Sequence, residues 1–206
     1  MLHGTDRGPA IALRREEPMN LHFDLLAPLY DRLMSRPDAE PLARALNLPA
    51  DGLLLDVGGG TGRVSRLLVP WVRGAVVCDA SRGMLAQASP AGLCAVQCRA
   101  ERLPFADGAF ARVLVVDALH HFSRQREALA ELVRVLAPGG RLLISEPDIA
   151  HRGVRLIALA ERLTLMGSHF LPPGEIETML AAEGISPHIV RDGEATAWIV
   201  ADKPVE

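Results

Sequence analysis

Short apolar runs alternate with amphipathic stretches from about residue 50 to the C-terminus. A short apolar run bounded by glycine, proline or acidic residues is typical of a buried parallel strand, whereas apolar residues three and four apart are typical of a helix. The pattern predicts seven strands, at 53–57, 75–78, 94–97, 112–117, 141–145, 185–190 and 196–201. It predicts helices at 62–69, 82–88, 125–136, 151–166 and 175–183.

The order of these elements predicts an α/β fold. Strands that alternate with helices form a mostly parallel sheet, so we expect a Rossmann-like seven-stranded sheet with helices on both faces. An Asp-Gly pair at 192–193 separates the last two strands and is typical of a hairpin turn, which predicts an antiparallel C-terminal hairpin. Pro138, Gly139 and Gly140 predict the end of the preceding helix and a turn before the fifth strand.

The chain has 206 residues, which is enough for one domain with a well-formed core. Residues 1–20 are polar and aperiodic, and we predict that they form a flexible N-terminal extension. Leucines between residues 21 and 48 have helical spacing that is interrupted at Pro37. Residues 21–206 are therefore predicted to form a single domain, with a helical cap at 21–48.

Composition narrows the possible partners and compartment. The net charge of -3 is unfavourable for general nucleic-acid binding, which requires a basic surface. No apolar run is long enough to span a membrane. Three cysteines without a framework spacing favour a reducing compartment, so we expect the cytoplasm. Cys94 and Cys98 could bind a metal, but no second ligand pair lies near them in sequence, so we predict no metal site.

The loop after the first predicted strand is rich in glycine. In an open α/β sheet, ligands bind beyond the carboxyl ends of the strands, and residues 56–62 (DVGGGTG) lie at such an end. Glycines allow the backbone to approach a ligand closely, and the N-terminus of the next helix favours an anionic group. A P-loop is excluded because no Gly-Lys-Ser/Thr follows, and Arg63 replaces the third small residue of a dinucleotide fingerprint. A structural turn without a ligand stays an alternative.

Polar residues also follow the second and fourth predicted strands. Asp79 could accept hydrogen bonds from both hydroxyls of a ribose, although it could instead cap the next helix. Leu103 and Phe105 could form a wall for an adenine ring or could belong to the core. The fourth strand is followed by a segment that contains His120 and His121.

Together these segments resemble class I S-adenosylmethionine-dependent methyltransferases, over about residues 50–150. Residues 54–62 (LLDVGGGTG), 77–85 (VCDASRGML), 100–105 (AERLPF) and 134–140 (RVLAPGG) are similar to motifs of that family, in the family's order. Residues 23–31 (FDLLAPLYD) further resemble the subgroup that contains the ubiquinone and menaquinone C-methyltransferases. The resemblance implies S-adenosylmethionine as the cofactor.

The resemblance also implies which residues line the cofactor site. The methionine end of the cofactor would be held by the glycine loop and its acidic residue, that is, by Asp56, Gly58, Gly60 and Gly62. The adenosine end would contact a second group, which consists of Asp79, Ala80, Met84, Ala100 and Glu101. The region of the methyl group would be lined by Asp117 and Leu119 and closed by Tyr30.

The resemblance implies methyl transfer to a small-molecule acceptor, by O- or C-methylation, with an aromatic or quinone-like acceptor as one candidate. His120 and His121 are the candidate bases, since imidazole titrates near neutral pH, and His169 is a third; packing or surface roles are the alternative. Arg99 departs from the family, which often has an aspartate there as an acceptor for adenine, because arginine cannot accept a hydrogen bond. A regulatory or assembly protein that binds the cofactor without catalysis, and a dehydrogenase, are alternative functions.

Overall fold

The computed structural model describes residues 38–88, 93–151, 154, 168–192 and 195–205. Its helices are α1 (Ala39–Ala45), α2 (Ser65–Leu68), α3 (Arg82–Ala88), α4 (Gln125–Val135) and α5 (Pro173–Ala182). Its strands are β1 (Leu53–Val57), β2 (Gly74–Asp79), β3 (Cys94–Gln97), β4 (Phe110–Val116), β5 (Leu136–Pro147), β6 (Ser186–Asp192) and β7 (Thr196–Asp202). Two 3₁₀ turns lie at Val69–Trp71 and Leu119–His121.

The seven strands of the described residues form one sheet in the order β3-β2-β1-β4-β5-β7-β6. The first five strands in this order are parallel, and β7 pairs antiparallel with both β5 and β6. This arrangement confirms the predicted α/β fold and its antiparallel C-terminal hairpin. The order reverses between β1 and β4, which is the point where ligands bind in open sheets of this kind.

Two apolar clusters lie on opposite faces of the sheet. Side chains along a strand point alternately to the two faces, so Leu55 and Leu54 on β1 belong to different clusters. One cluster contains the buried apolar residues of α4 and α5, and the other contains Leu42 of α1, Leu68 of α2 and Leu85 of α3. Helices therefore cover both faces, as predicted.

The predicted turn at Pro138, Gly139 and Gly140 is wrong. Helix α4 does end at Val135, but β5 begins at the next residue and includes these three residues as a bulge, because Leu136 pairs with Phe110 and Arg141 pairs with Arg112. Gly139 has a φ of 70° and donates its N–H to the carbonyl of Lys203 at 2.9 Å. That contact with the C-terminal end of the described chain keeps the segment in the sheet.

Several predicted helices differ in extent from the observed ones. The helix predicted at 62–69 begins only at Ser65, since Gly62 has a φ of 71°, and it passes into a 3₁₀ turn that contains Pro70. Of the predicted cap, α1 is described, and it is anchored because Arg112 donates to the carbonyl of Leu46 at 2.6 Å. The predicted extension at 1–20, the cap before residue 38 and most of the helix predicted at 151–166 lie outside the described residues.

Candidate active site

A cavity lies at the carboxyl ends of β1, β2 and β4, where the strand order reverses. The loops that follow these strands enclose it. Most of the predicted site residues line this cavity, namely Asp56, Gly58, Gly60, Asp79, Ala80, Met84, Ala100, Glu101, Asp117 and His121. Residues from four separate segments of the sequence are thus brought to one place by the topology.

Among the described residues, three predicted site residues do not line the cavity. Gly62 packs away from the cavity, since a Cβ there would lie 2.3 Å from Leu93 Cδ1. Leu119 is 1% exposed and belongs to the core, and His120 is buried behind the wall. Gly62, Leu119 and His120 therefore lie next to the cavity lining rather than in it, and their predicted roles in the site stay predictions. Tyr30 lies outside the described residues.

The glycine loop packs directly against a buried carboxylate. A Cβ at Gly59 would lie 2.5 Å from Asp56 Cγ, so the position requires a residue without a side chain. Gly60 has a φ of 55° and donates its N–H to Asp79 Oδ2 at 3.0 Å. The loop is therefore held between the two carboxylates that follow β1 and β2.

Asp56 is 1% exposed and accepts a hydrogen bond of 2.6 Å from Ser65 Oγ. Burial is the main cause that raises the pKa of Asp56 to about 6, and the charge of Asp79 acts in the same direction. The hydrogen bond from Ser65 lowers the pKa and only partly offsets burial. The site thus holds a buried carboxylate that a cationic ligand group would stabilise in its ionised form.

Asp79 connects two loops at the cavity wall. Its Oδ2 accepts from Gly60 N–H, and its Oδ1 accepts from Ser81 N–H at 2.8 Å. Ser81 Oγ in turn accepts from Met84 N–H at 3.1 Å. Ser81 is therefore the residue that caps α3, which argues against the alternative role of Asp79 as the helix cap.

Arg99 forms an ion pair on the cavity wall that the sequence did not indicate. Its Nε and Nη2 donate to the Glu101 carboxylate at 3.2 and 3.3 Å, and Nη2 also donates to Ser123 Oγ at 3.0 Å. Burial raises the pKa of Glu101, but hydrogen bonds from backbone N–H groups and the charge of Arg99 outweigh it, and the net pKa is lowered. The donors of Arg99 are thus directed at protein acceptors.

Leu103 and Phe105 do not line the cavity. Leu103 is 4% exposed within the core cluster, and the ring of Phe105 packs edge-on against Phe110 at 5.0 Å. Of the two roles left open for Leu103 and Phe105, the core role is the observed one.

The Leu119–His121 turn is organised by the carboxylate of Glu146, at the end of β5. Glu146 Oε1 accepts from the N–H groups of Ala118 and Leu119 at 2.9 and 2.8 Å. Glu146 Oε2 lies 2.6 Å from His120 Nδ1, in a pair that is almost fully buried. Glu146 directly follows the strand predicted at 141–145, but the sequence carries no signal for its pairing with a residue 26 positions away.

The two histidines have different surroundings. His121 lines the cavity, and its Nδ1 lies 3.1 Å from Ser168 Oγ. The His120 ring lies behind it at 4.0 Å and is stacked on Phe170 at 4.3 Å with an interplanar angle of 13°. His169 is exposed and contacts this region through its backbone, since its N–H donates to the carbonyl of His120 at 2.7 Å. Only His121 of the three faces the cavity.

Asp117 has a φ of 51°, which is uncommon for a residue other than glycine. Burial is the main cause that raises its pKa, and the negative charge of Glu146 adds to it, while His120 and Arg63 act in the opposite direction. The strained backbone and the buried carboxyl coincide at the end of β4, where the cavity meets the histidine turn.

The described residues contain neither a metal-binding cluster nor a membrane-spanning helix. No group of three histidine, cysteine or acidic residues in this part of the chain is placed to bind a metal ion. Within the same ranges, no helix has the length and hydrophobicity needed to cross a membrane.

Part of the chain is similar to known methyltransferases. Residues 55–144 match the sequence model of a family described as "Methyltransferase domain". The chain is 37% identical over 129 residues to a demethylmenaquinone methyltransferase of Beutenbergia cavernae, covering 62% of this chain and 52% of that protein. It is 40% identical over 109 residues to a ubiquinone/menaquinone biosynthesis C-methyltransferase of Paracoccus denitrificans, covering 48% and 44%. The chain spans about half the length of these curated relatives.

The fold is shared with solved methyltransferase structures. One is a Haemonchus contortus phosphoethanolamine N-methyltransferase in complex with S-adenosyl-L-methionine, with a TM-score of 0.70 and 15% identity, covering 92% of this chain and 58% of that one. The sequence matches and this fold together confirm the predicted resemblance to class I methyltransferases.

Proposed function

Because residues 55–144 form a methyltransferase domain of the class I kind, we propose that this chain binds S-adenosylmethionine in the cavity and transfers its methyl group to a small-molecule acceptor. The observation that carries the proposal is the placement of Asp56 and Asp79 on one cavity wall, with the glycine loop between them. One carboxylate lies on each side of the glycine loop, and this arrangement matches a ligand that has an ammonium group at one end and a ribose at the other.

The residues present fit this cofactor. The Asp79 carboxylate uses each oxygen for one backbone N–H group, and each carboxylate oxygen can accept a further hydrogen bond from a ribose hydroxyl. Asp56 is buried, and an ammonium group beside it would favour its ionised form. Ala100 and Glu101 lie on the wall where the adenine ring is proposed to bind.

The protein's part in catalysis is to orient the reactants and to exclude water. When bound, the cofactor supplies a methyl group that is already activated by a sulfonium. Correct orientation of two reactants can lower a barrier by roughly 7–11 kcal/mol. The cavity walls near Asp117 and His121 are the proposed place for the acceptor, since both residues lie at the end of β4.

We assign the general base to His121 rather than to His120. An acceptor hydroxyl or acidic carbon loses a proton as its bond to the methyl group forms, and the imidazole of His121 can take that proton because it faces the cavity. His120 is a positioning residue: it is clamped by Glu146 and packs against the His121 ring. Of the two predicted catalytic histidines, only His121 is therefore proposed to contact the reacting atoms.

For the acceptor we propose an aromatic, quinone-like molecule. Support comes from the two curated relatives, whose names refer to demethylmenaquinone and to ubiquinone or menaquinone biosynthesis. Phe122 and His121 add aromatic side chains to the cavity wall. A panel of demethylquinones and phenols tests this assignment, and the absence of methylation of every member would refute it.

A regulatory protein that binds the cofactor without turnover is the second candidate. The observation that favours it is Arg99, which stands where the family often has an acceptor for adenine. The ion pair with Glu101 weakens this case, because it directs the arginine donors at the protein. Cofactor binding without methylation of any acceptor in the panel would support the regulatory role.

Both candidate functions assume that the chain binds S-adenosylmethionine in the cavity. Calorimetric titration with S-adenosylmethionine and S-adenosylhomocysteine tests this assumption. We expect binding by the wild-type chain and a loss of affinity in Asp79→Ala. The matched control is Asp51→Ala, since the Asp51 side chain is 92% exposed and does not line the cavity. No binding by the folded wild-type chain, or equal binding by Asp79→Ala, would overturn the proposed cofactor site.

A further inference from the structure

Two cysteines lie side by side on the wall of the cavity. Cys78 is the next-to-last residue of β2, and Cys98 follows the last residue of β3. Cys78 pairs with Val96, and Cys98 is two residues further along the same strand direction, so both side chains point to the same face of the sheet. The Cys98 N–H donates to the carbonyl of Asp79 at 3.0 Å, which fixes its place beside β2.

The two cysteines are close neighbours in the cavity lining. Hydrogen bonding with the Cys98 thiol is the main cause that raises the pKa of Cys78, followed by burial and by the nearby charge of Asp79. Both side chains line the cavity, and all three cysteines of the chain are free thiols. Cys94, at the start of β3, is exposed and does not line the cavity.

We propose that Cys78 and Cys98 form an oxidation site, at which a hydroperoxide joins the two thiols in a disulfide and thereby weakens cofactor binding. Cys98 is the more exposed of the two and is the first to react. Its sulfur attacks a peroxide oxygen, which yields a sulfenic acid and one molecule of water. The Cys78 sulfur then displaces the hydroxyl group as a second molecule of water.

The reaction is balanced with hydrogen peroxide as the only oxidant. Two thiols and one peroxide give one disulfide and two molecules of water, so the two sulfurs together lose the two electrons that the peroxide gains. The raised pKa of Cys78 agrees with its role as the second thiol, because a thiol that resists ionisation is a poor first nucleophile.

The disulfide alters the cavity through the loop after β3. A sulfur–sulfur bond of about 2.05 Å is shorter than the separation of hydrogen-bonded thiols, so the sulfurs must approach each other. Cys98 lies just beyond the strand and is followed directly by Arg99 and Ala100, which both line the cavity. The approach therefore moves the wall assigned to adenine. The cross-link itself is independent of the proposed function, whereas its effect on cofactor binding rests on it.

The test compares the reduced chain with the chain treated with hydrogen peroxide. Peptide mapping by mass spectrometry detects the Cys78–Cys98 link, and calorimetry measures the affinity for S-adenosylhomocysteine. We expect the link to form and the affinity to fall roughly tenfold or more, the loss expected when one or two hydrogen bonds are displaced. A dithiol reductant should restore the affinity.

Two variants make the test specific. Cys98→Ser should form no link and should keep the same affinity before and after peroxide. Cys94→Ser should behave like the wild-type chain. Failure of the Cys78–Cys98 link to form in the folded wild-type chain overturns the oxidation site.

The remaining outcomes separate the two proposals. A link that forms without a change in affinity overturns the effect on the cofactor. A reduced chain that does not bind S-adenosylhomocysteine refutes the proposed function and, with it, the effect on binding, while the peptide map still decides whether the oxidation site exists.

Discussion

Replacement of Asp56 by asparagine should stabilise the folded chain at neutral pH. The carboxyl is buried, and its pKa is about 6 in the folded chain against an ordinary value of 3.8. A carboxyl with a raised pKa is harder to ionise in the folded state than in the unfolded state. Asparagine removes this cost and keeps an amide oxygen that can accept the hydrogen bond from Ser65.

The size of the effect follows from linkage. Each pH unit of difference between the folded and unfolded pKa corresponds to about 1.36 kcal/mol, so the ionised Asp56 lowers the free energy of unfolding by up to about 3 kcal/mol. Below pH 3.8 both states are protonated and the cost vanishes. The cost grows as the pH rises from 3.8 towards the folded pKa of about 6, and it becomes constant above that pKa. Between pH 5 and pH 8 it should increase by about 1.4 kcal/mol.

Urea unfolding of the wild-type chain and Asp56→Asn at pH 5, 6, 7 and 8 measures this directly. The difference in unfolding free energy should favour the variant and widen with pH, and Asp51→Asn, at an exposed position, should show no such trend. The same Asp56 variant should bind S-adenosylhomocysteine more weakly, because the ammonium group loses its carboxylate. A variant that is less stable at pH 8, or a difference that does not change with pH, would contradict the argument from burial.

Four other substitutions separate the roles of neighbouring groups. Gly59→Ala puts a methyl group 2.5 Å from a carboxylate carbon and should reduce affinity for S-adenosylhomocysteine, whereas Gly62→Ala, at a φ of 71° and off the cavity wall, should cost about 1–3 kcal/mol in urea unfolding with little change in affinity. Arg134→Lys cannot reproduce the hydrogen bonds of the guanidinium to the loop before β4, and its unfolding free energy should fall by about 1–3 kcal/mol; an unchanged urea midpoint would contradict this. Glu146→Gln removes the carboxylate that accepts from the N–H groups of Ala118 and Leu119 and should lower the unfolding free energy by about 1–3 kcal/mol in the same assay; equal stability would contradict a structural role for this carboxylate.

The sheet could be predicted because its strands are nearly continuous apolar runs. A strand buried on both faces leaves a clear signal in the sequence, and each of the seven predicted strands corresponds to an observed one. The helical spacing of apolar residues was also sufficient to predict α3 and α4 to within one residue. The bulge at Gly139 was not predictable, since the segment is held by Lys203, and a local turn signal carries no information about that distant carbonyl.

The cavity wall could be predicted where it is formed by loops that follow strands directly. Asp56 and Asp79 belong to this class, because the carboxyl ends of parallel strands meet at one edge. The region after β4 is different, because successive side chains of a 3₁₀ turn point in different directions. A shift of one position along the turn therefore decides whether a side chain packs in the core or faces the cavity. Leu119 and His120 therefore pack inside while His121 faces the cavity. The ion pair of Arg99 joins side chains that no spacing rule connects.

The place of β7 in the sheet has a consequence for synthesis of the chain on the ribosome. Strand β5 pairs with β4 on one side, and residues 141–147 pair on the other side with residues 196–202 of β7. At about 5–20 residues per second, the nascent chain needs roughly 3–11 s to extend from residue 147 to residue 202. During this interval the long edge of β5 has no partner strand, and its unpaired N–H and C=O groups are a template for pairing between chains. Until the hairpin is complete, this edge of β5 is therefore open to pairing with a second chain.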